Sequence, residues 1–244
     1  MASKILPQTS PATDLPANET RSKETQAILD KMRQDWDARA KENARHYVAT
    51  ARTEWSDEEY FESGRQNVYN EILTDMGNVC QGQDPKSMTV LEIGCGSGRM
   101  TRALADNFGQ VYAVDVSGEM ILRAKDALKD RSNVHLFQNN GQDLSVLGDV
   151  HLDFAFTYIV FQHIPSRDVI RNYVREVARL LKPGGLFKFQ VHGDPSIKRT
   201  ADDTWIGVPF SDADVVEMAE ACGFEPRYRI GAGTQYFWLW FFKR

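Results

Sequence analysis

From about residue 88 onward, short apolar runs alternate with stretches of helical period, and this alternation is the main signal in the chain. Val90, Leu91 and Ile93 predict a buried strand; Met100, Ala103, Leu104 and Phe108 then recur at helical spacing, with Gly109 as the expected helix end. Residues 111–114 predict a second strand ending in Asp115, followed by a helix capped by Ser117 with Met120, Ile121, Ala124 and Leu128 on its inner face. Residues 134–137 and 152–156 predict two more strands. Ser166 opens a strongly amphipathic helix through Val169, Ile170, Tyr173, Val174, Val177 and Leu180, which Lys182-Pro183-Gly184-Gly185 ends. A fifth strand at 186–191, a helix from Ser211 to Cys222 and two strands separated by residues 231–233 complete the pattern. Strands and helices in alternation predict an α/β fold, a parallel sheet with helices on both faces.

Upstream the pattern differs. Residues 1–22 hold Pro7, Pro11 and Pro16 among small polar residues, too little apolar surface to offset the entropy of ordering, and are expected to be a disordered tail. Ile28, Leu29, Met32, Trp36 and Ala40 then share one face of a charged helix reaching about Arg45. Ser56 and Glu59 form a capping box for a second helix, which Gly64 is expected to interrupt before Val68, Ile72 and Leu73. Residues 23–77 are read as an N-terminal helical cap and 88–244 as the core of a single domain covering 23–244.

Composition narrows the function. The 244 residues carry a formal net charge of −5 and a pI near 5.6, without a basic stretch interleaved with aromatics. No electrostatic footprint for nucleic acid or an anionic membrane results, and a small-molecule partner is expected, with the chain a monomer or homodimer. No apolar run approaches the ~20 residues of a membrane span. The three cysteines, Cys80, Cys95 and Cys222, lack metal-ligand spacing, and Cys95 lies in a glycine turn where a disulfide would obstruct; a reducing, cytoplasmic location is expected and no metal is implied.

The chemistry concentrates at residues 90–98. A strand, a turn with Gly94, Gly96 and Gly98, and a helix N-terminus bring backbone N–H groups close to a ligand, as in nucleotide-binding folds. A dinucleotide fingerprint places its third glycine at position 99, occupied by Arg99, and the carboxylate of Glu92 would repel a pyrophosphate. A phosphate-free cofactor carrying an amino group and a sulfonium would use that charge. The acid-x-Gly-x-Gly-x-Gly pattern formed by Glu92, Gly94, Gly96 and Gly98 resembles the first motif of the class I S-adenosylmethionine-dependent methyltransferases. That resemblance covers about residues 65–244. It implies a Rossmann-like, seven-stranded sheet of order 3-2-1-4-5-7-6, with strand seven antiparallel and S-adenosylmethionine as cofactor.

The resemblance also assigns residues at the carboxyl ends of the strands, where ligands sit in open α/β sheets. Glu92, Gly94, Cys95, Gly96 and Gly98 form the first loop. Asp115 is the expected ribose contact, with Val116 and Met120 beside it. Asn140, in the place of the family's usual acid, with Gly141 and Gln142, corresponds to the adenine-contacting loop. Thr157 and Tyr158 follow strand four. The Phe161-Gln162-His163-Ile164-Pro165 run resembles the segment at that point in many small-molecule methyltransferases, which makes His163 a candidate base or positioning donor near its usual pKa of about 6.5. His192 at the end of strand five, together with Tyr158, completes the candidate catalytic set, and Gln235 and Tyr236 are expected near the pocket. The implied reaction moves a methyl group to an oxygen or nitrogen of a small acceptor. A nucleotide-dependent reductase and a catalytically silent S-adenosylmethionine-binding subunit are the alternatives.

Overall fold

The computed structural model describes residues 15–244, with side chains described from residue 23. Seven strands form one sheet: β1 Thr89–Ile93, β2 Gln110–Asp115, β3 Val134–Gln138, β4 Leu152–Phe156, β5 Leu181–Val191, β6 Phe224–Ile230 and β7 Phe237–Lys243. Their order is β3-β2-β1-β4-β5-β7-β6, and β7 runs antiparallel to both β5 and β6 while the pairs from β3 to β5 are parallel. The helices are α1 Leu15–Val48, α2 Asp57–Glu71, α3 Met76–Cys80, α4 Thr101–Asn107, α5 Gly118–Ala127, α6 Arg167–Leu180 and α7 Asp212–Ala221.

The central strands are buried on both faces, which is why they read as continuous apolar runs: Leu152, Asp153, Phe154, Ala155 and Phe156 of β4 are all buried. Ser166 Oγ accepts from Val169 N to start α6, whose Val169, Ile170, Tyr173, Val174, Val177 and Leu180 are buried against the sheet. An aromatic core fills the α6 face, with the Phe187 and Phe189 rings stacked 4.2 Å apart and Phe241 edge-on to Phe189 at 4.9 Å. The reversal into β7 needs Gly231, at φ 92° and so close to the returning chain that a Cβ would lie 2.3 Å from Tyr236 O.

Four local features differ from the reading of the sequence. The first helix begins at Leu15, inside the segment expected to be a disordered tail; residues 1–14 of that segment lie outside the described residues. Pro16 in its first turn is tolerated because the N–H groups there have no intrahelical acceptor. This helix breaks and restarts at Asn43 (φ −161°, ψ 84°), where the Asn43 amide oxygen caps the restart by accepting from His46 N at 3.1 Å. Gly64 does not interrupt α2: it lies inside the helix, where a Cβ would stand 2.0 Å from Arg99 O, so glycine permits close packing of α2 on the segment after the glycine turn. Gly109 likewise is no left-handed cap but a close approach, 2.3 Å from Cβ position to Lys86 O.

The long helix α1 lies across the carboxyl edge of the sheet. A methyl group on Gly96 would lie 2.7 Å from Val48 Cγ2, and one on Gly141 would lie 3.0 Å from Met32 Cε. α1 therefore roofs the strand ends.

Candidate active site

Beyond the carboxyl ends of β1, β2, β4 and β5 is a cavity of about 690 Å³, within the ~300–1,000 Å³ range of small-molecule sites. Its floor is the turn after β1. Gly94, Gly96 and Gly98 have φ of 76°, 54° and 86°, so each occupies the left-handed region that L side chains rarely adopt. The carboxylate of Asp115, at the end of β2, fixes this turn by accepting from Gly96 N at 2.9 Å through Oδ2 and from Ser117 N at 2.8 Å through Oδ1.

Glu92 is 5% exposed and accepts from Thr101 Oγ1 at 2.6 Å. Burial pushes its carboxyl up to about 7, and burial likewise pushes Asp115 up to about 6. Both acids border the cavity, and Arg99, 6% exposed, borders it with them. Arg99 donates through Nη1 to Asn67 Oδ1 at 2.6 Å and to Ser63 Oγ at 3.3 Å, while its Nε has no partner within the protein. These are the only charged side chains in the cavity wall among the described residues.

Of the residues expected from the sequence, Glu92, Gly94, Cys95, Gly96, Asp115, Val116, Met120, Tyr158, His163, His192, Gln235 and Tyr236 line one cavity. Gly98, Asn140, Gly141, Gln142 and Thr157 do not. Gly98 is a packing glycine, a Cβ there coming within 2.8 Å of Leu128 Cδ1. Asn140 turns its amide oxygen onto Gln142 N and Asp143 N, at 2.8 and 2.9 Å, so the side chain holds its own loop. Gly141 is covered by Met32 and Val116. In the wall instead stands Asn139, whose Nδ2 donates to Tyr173 Oη at 2.6 Å and whose Oδ1 has no partner within the protein.

The far side of the cavity is aromatic. Trp36 of α1, His163 and Trp205 cluster, with ring centroids 5.4 Å apart for Trp36–His163 and 5.0 Å for His163–Trp205. His163 Nδ1 faces the Trp205 carbonyl, an acceptor, so it carries the proton, and the Nε2 lone pair faces the Gln162 amide nitrogen at 3.5 Å. Burial pulls this imidazole down to about 4, well below the 6.5 expected from sequence, so it stays neutral and is a weak base. His192 has the opposite tautomer: its Nδ1 accepts from Asp194 N at 3.2 Å, which leaves the proton on Nε2.

The turn after β4 is strained. Ile159 holds φ 55°, unusual for a β-branched residue, and its N–H donates to Gln190 Oε1 at 3.1 Å. Gln190 in turn donates to Gln162 Oε1 at 2.8 Å. This buried amide pair holds Tyr158, Ile159 and Val160 in the wall. Trp36, Arg99 and Gln190 carried no motif in the sequence, whereas Asn139 and Gln162 stand inside the 139–144 and 161–165 runs that resemble the family without a role of their own being expected there; only the position of Arg99 directly after the glycine turn hinted at proximity.

Residues 90–185 match the family model of the methyltransferase domain. A tRNA N(3)-methylcytidine methyltransferase of Schizosaccharomyces pombe is 27% identical over 165 residues, 58% of this chain and 66% of that protein. A ubiquinone biosynthesis O-methyltransferase of Xanthomonas oryzae pv. oryzae is 31% identical over 97 residues, 39% of each. The chain thus spans between 39% and 66% of the length of these curated relatives. The solved structure of a DhpI–SAH complex superposes with a TM-score of 0.60 at 22% identity, covering 88% of this chain and 96% of the other, a likeness of fold.

Proposed function

We propose that this chain, a member of the class I S-adenosylmethionine-dependent methyltransferase family by its domain match and sheet order, methylates an oxygen or nitrogen of a small-molecule acceptor. The observation that carries the reading is the charge arrangement: two acids, Glu92 and Asp115, and one base, Arg99, all on the glycine-turn side of one cavity. That set complements a ligand bearing a sulfonium, an ammonium and a carboxylate, and it would repel a pyrophosphate. The unpartnered Oδ1 of Asn139 in the same wall supplies an acceptor for an exocyclic amine, beside the apolar Val116 and Met32.

Glu92 would hold the amino group, Arg99 the carboxylate, and Asp115 the ribose hydroxyls, each by a charge-assisted hydrogen bond. S-adenosylmethionine supplies, when bound, an electrophilic methyl group on sulfur. The protein's part is therefore mostly alignment and exclusion of water. α1, with Trp36 and Val48, and the 193–209 segment, with Trp205, cover the cavity, and we read them with residues 49–77 as a lid that selects the acceptor. Tyr158 Oη accepts from Asn67 Nδ2 at 3.3 Å, so its own proton is left to donate into the cavity. Neutral His163, with Nδ1 committed to Trp205, orients an acceptor more readily than it removes a proton.

The net charge of −5 and the single cationic side chain of the wall favour a small acceptor over a nucleic acid. Among the described residues no helix is long and apolar enough to cross a membrane. Cys80, Cys95 and Cys222 are free and buried, which supports a reducing compartment such as the cytoplasm.

Titration calorimetry should show binding of S-adenosylmethionine and S-adenosylhomocysteine but not NADH or NADPH. Release of S-adenosylhomocysteine in a screen of metabolite pools with methyl-labelled cofactor should follow. A preference for the nicotinamide nucleotides sinks the reading, and binding without turnover on any pool points to a silent subunit.

A further inference from the structure

His192 is 2% exposed, borders the cavity, and its Nε2 has no hydrogen-bond partner within the protein. Because Nδ1 accepts from Asp194 N, Nε2 bears a proton, and burial lowers the basicity of the ring, so the imidazole presents a neutral donor. A buried donor left unpaired is destabilising, and a ligand oxygen would relieve that cost. The surroundings are distinctive. His192 follows β5 and Tyr236 precedes the neighbouring β7, and Trp36, His163 and Trp205 cluster in the same cavity. The three charged wall residues belong to β1, the segment directly after its glycine turn, and the end of β2. Arg39, whose guanidinium lies 4.7 Å from the Trp36 ring centroid and 5.2 Å from that of Trp205, fixes both indoles without itself bordering the cavity.

Resting on the methyltransferase reading, we propose that this side of the cavity is the acceptor subsite and that it takes an uncharged ring bearing hydroxyl groups, one of whose oxygens accepts the Nε2–H of His192. A phosphate or carboxylate on the acceptor would lose its hydration here without a cation to meet it, and an ammonium would lose it without a carboxylate. A plain hydrocarbon would leave the His192 donor unpaired. A ring with apolar faces and hydroxyls satisfies both the aromatic walls and the donor. Neutral sugars and phenols share this chemistry.

The test uses the full chain saturated with S-adenosylhomocysteine and ligand-observed NMR with catechol, methyl glucoside, 3,4-dihydroxybenzoate, glucose 6-phosphate and phosphoethanolamine. At least one of the two neutral rings should bind, and the one that does names the source. Its charged counterpart should bind about tenfold or more weakly, and the Nε2–H resonance of His192 should shift on addition, a readout that needs no substitution. His192→Phe should weaken the neutral ring about tenfold while leaving S-adenosylhomocysteine affinity intact. Equal or tighter binding of the charged probes, or no binding of either neutral ring to the loaded protein, overturns the proposal and leaves the methyltransferase reading standing. An unmoved His192 resonance does the same. Failure to bind S-adenosylhomocysteine overturns that underlying reading and this one with it.

Discussion

Asp37 of α1 caps the start of α5 through Ser117: its Oδ1 accepts from Ser117 Oγ at 2.6 Å and from Glu119 N at 3.2 Å. Ser117 Oγ in turn accepts from Met120 N, so a residue 80 positions away completes a cap begun locally. The bond pins the roof helix to the element that follows Asp115, and thereby ties the cover of the cavity to its floor. Asp37→Ala should destabilise the protein by about 0.5–2 kcal/mol, the usual range for a lost cap, and raise hydrogen exchange in α1 more than in β4. Uniform exchange across the chain would show that α1 is held by its apolar face alone.

A second tie reaches the opposite side of the roof. Thr204 Oγ1 donates to Asp35 Oδ2 at 2.6 Å and accepts from Arg39 Nη2 at 3.1 Å. Thr204→Val removes both bonds and should cost about 1–3 kcal/mol locally. Residues 193–209 and the middle of α1 should then exchange faster, and S-adenosylhomocysteine should slow exchange in the native protein. Identical exchange with and without that ligand would mean fixed packing instead of a lid.

Asp115 holds the glycine turn and, on the proposed reading, would also hold the ribose of the cofactor. In Asp115→Ala the Gly96 and Ser117 amides lose a carboxylate, and the ribose would lose charge-assisted bonds worth about 1.5–3 kcal/mol each. Calorimetry should show S-adenosylmethionine affinity reduced at least tenfold with the fold retained by circular dichroism; unchanged affinity would confine Asp115 to holding the glycine turn.

Glu92 gives a pH signature. Its carboxyl is raised from 4.5 to about 7 by burial, so the folded state holds a proton that the unfolded state has released between those values. Stability contributed by this group is present below about pH 4.5 and is lost as pH rises to about 7, amounting to about 3 kcal/mol at 1.36 kcal/mol per pH unit. Asp115, raised to about 6, acts in the same direction, so the comparison must isolate one acid. Glu92→Gln should therefore match native stability at pH 4.5 and exceed it at pH 8, while binding S-adenosylmethionine more weakly at pH 8. A stability difference that does not change with pH would show that Glu92 ionises freely.

Burial holds the His163 imidazole well below its ordinary pKa. With its pKa drawn down to about 4, an acid limb near 6.5 in kcat is not expected from this group. Single-turnover rates at saturating cofactor should stay level from pH 8 to pH 5. A limb at 6.5 that disappears in His163→Gln would restore His163 as the base.

Period and punctuation were enough to read the sheet. Continuous apolar runs such as 152–156, the capping serines Ser56, Ser117, Ser166 and Ser211, and the glycines around 231–233 are local in cause, because burial on both faces, orphan helix N–H groups and a tight reversal each select residue types at fixed spacing. The same locality made the glycine turn, Glu92 and Asp115 legible. What no local pattern carries is which side chains meet across the sheet edge. Asn139 faces the cavity and Asn140 does not, because Asn140 has a nearer use in closing its own turn. Gly64 looked like a helix break and is a contact with Arg99, because the space a missing Cβ leaves depends on what packs there. Trp36 and Trp205, 169 residues apart, come together with His163 only when α1 folds over the strand ends, and burial in that assembly sets the His163 pKa, whereas the proton-bearing nitrogen of His192 is selected locally by the Asp194 N–H.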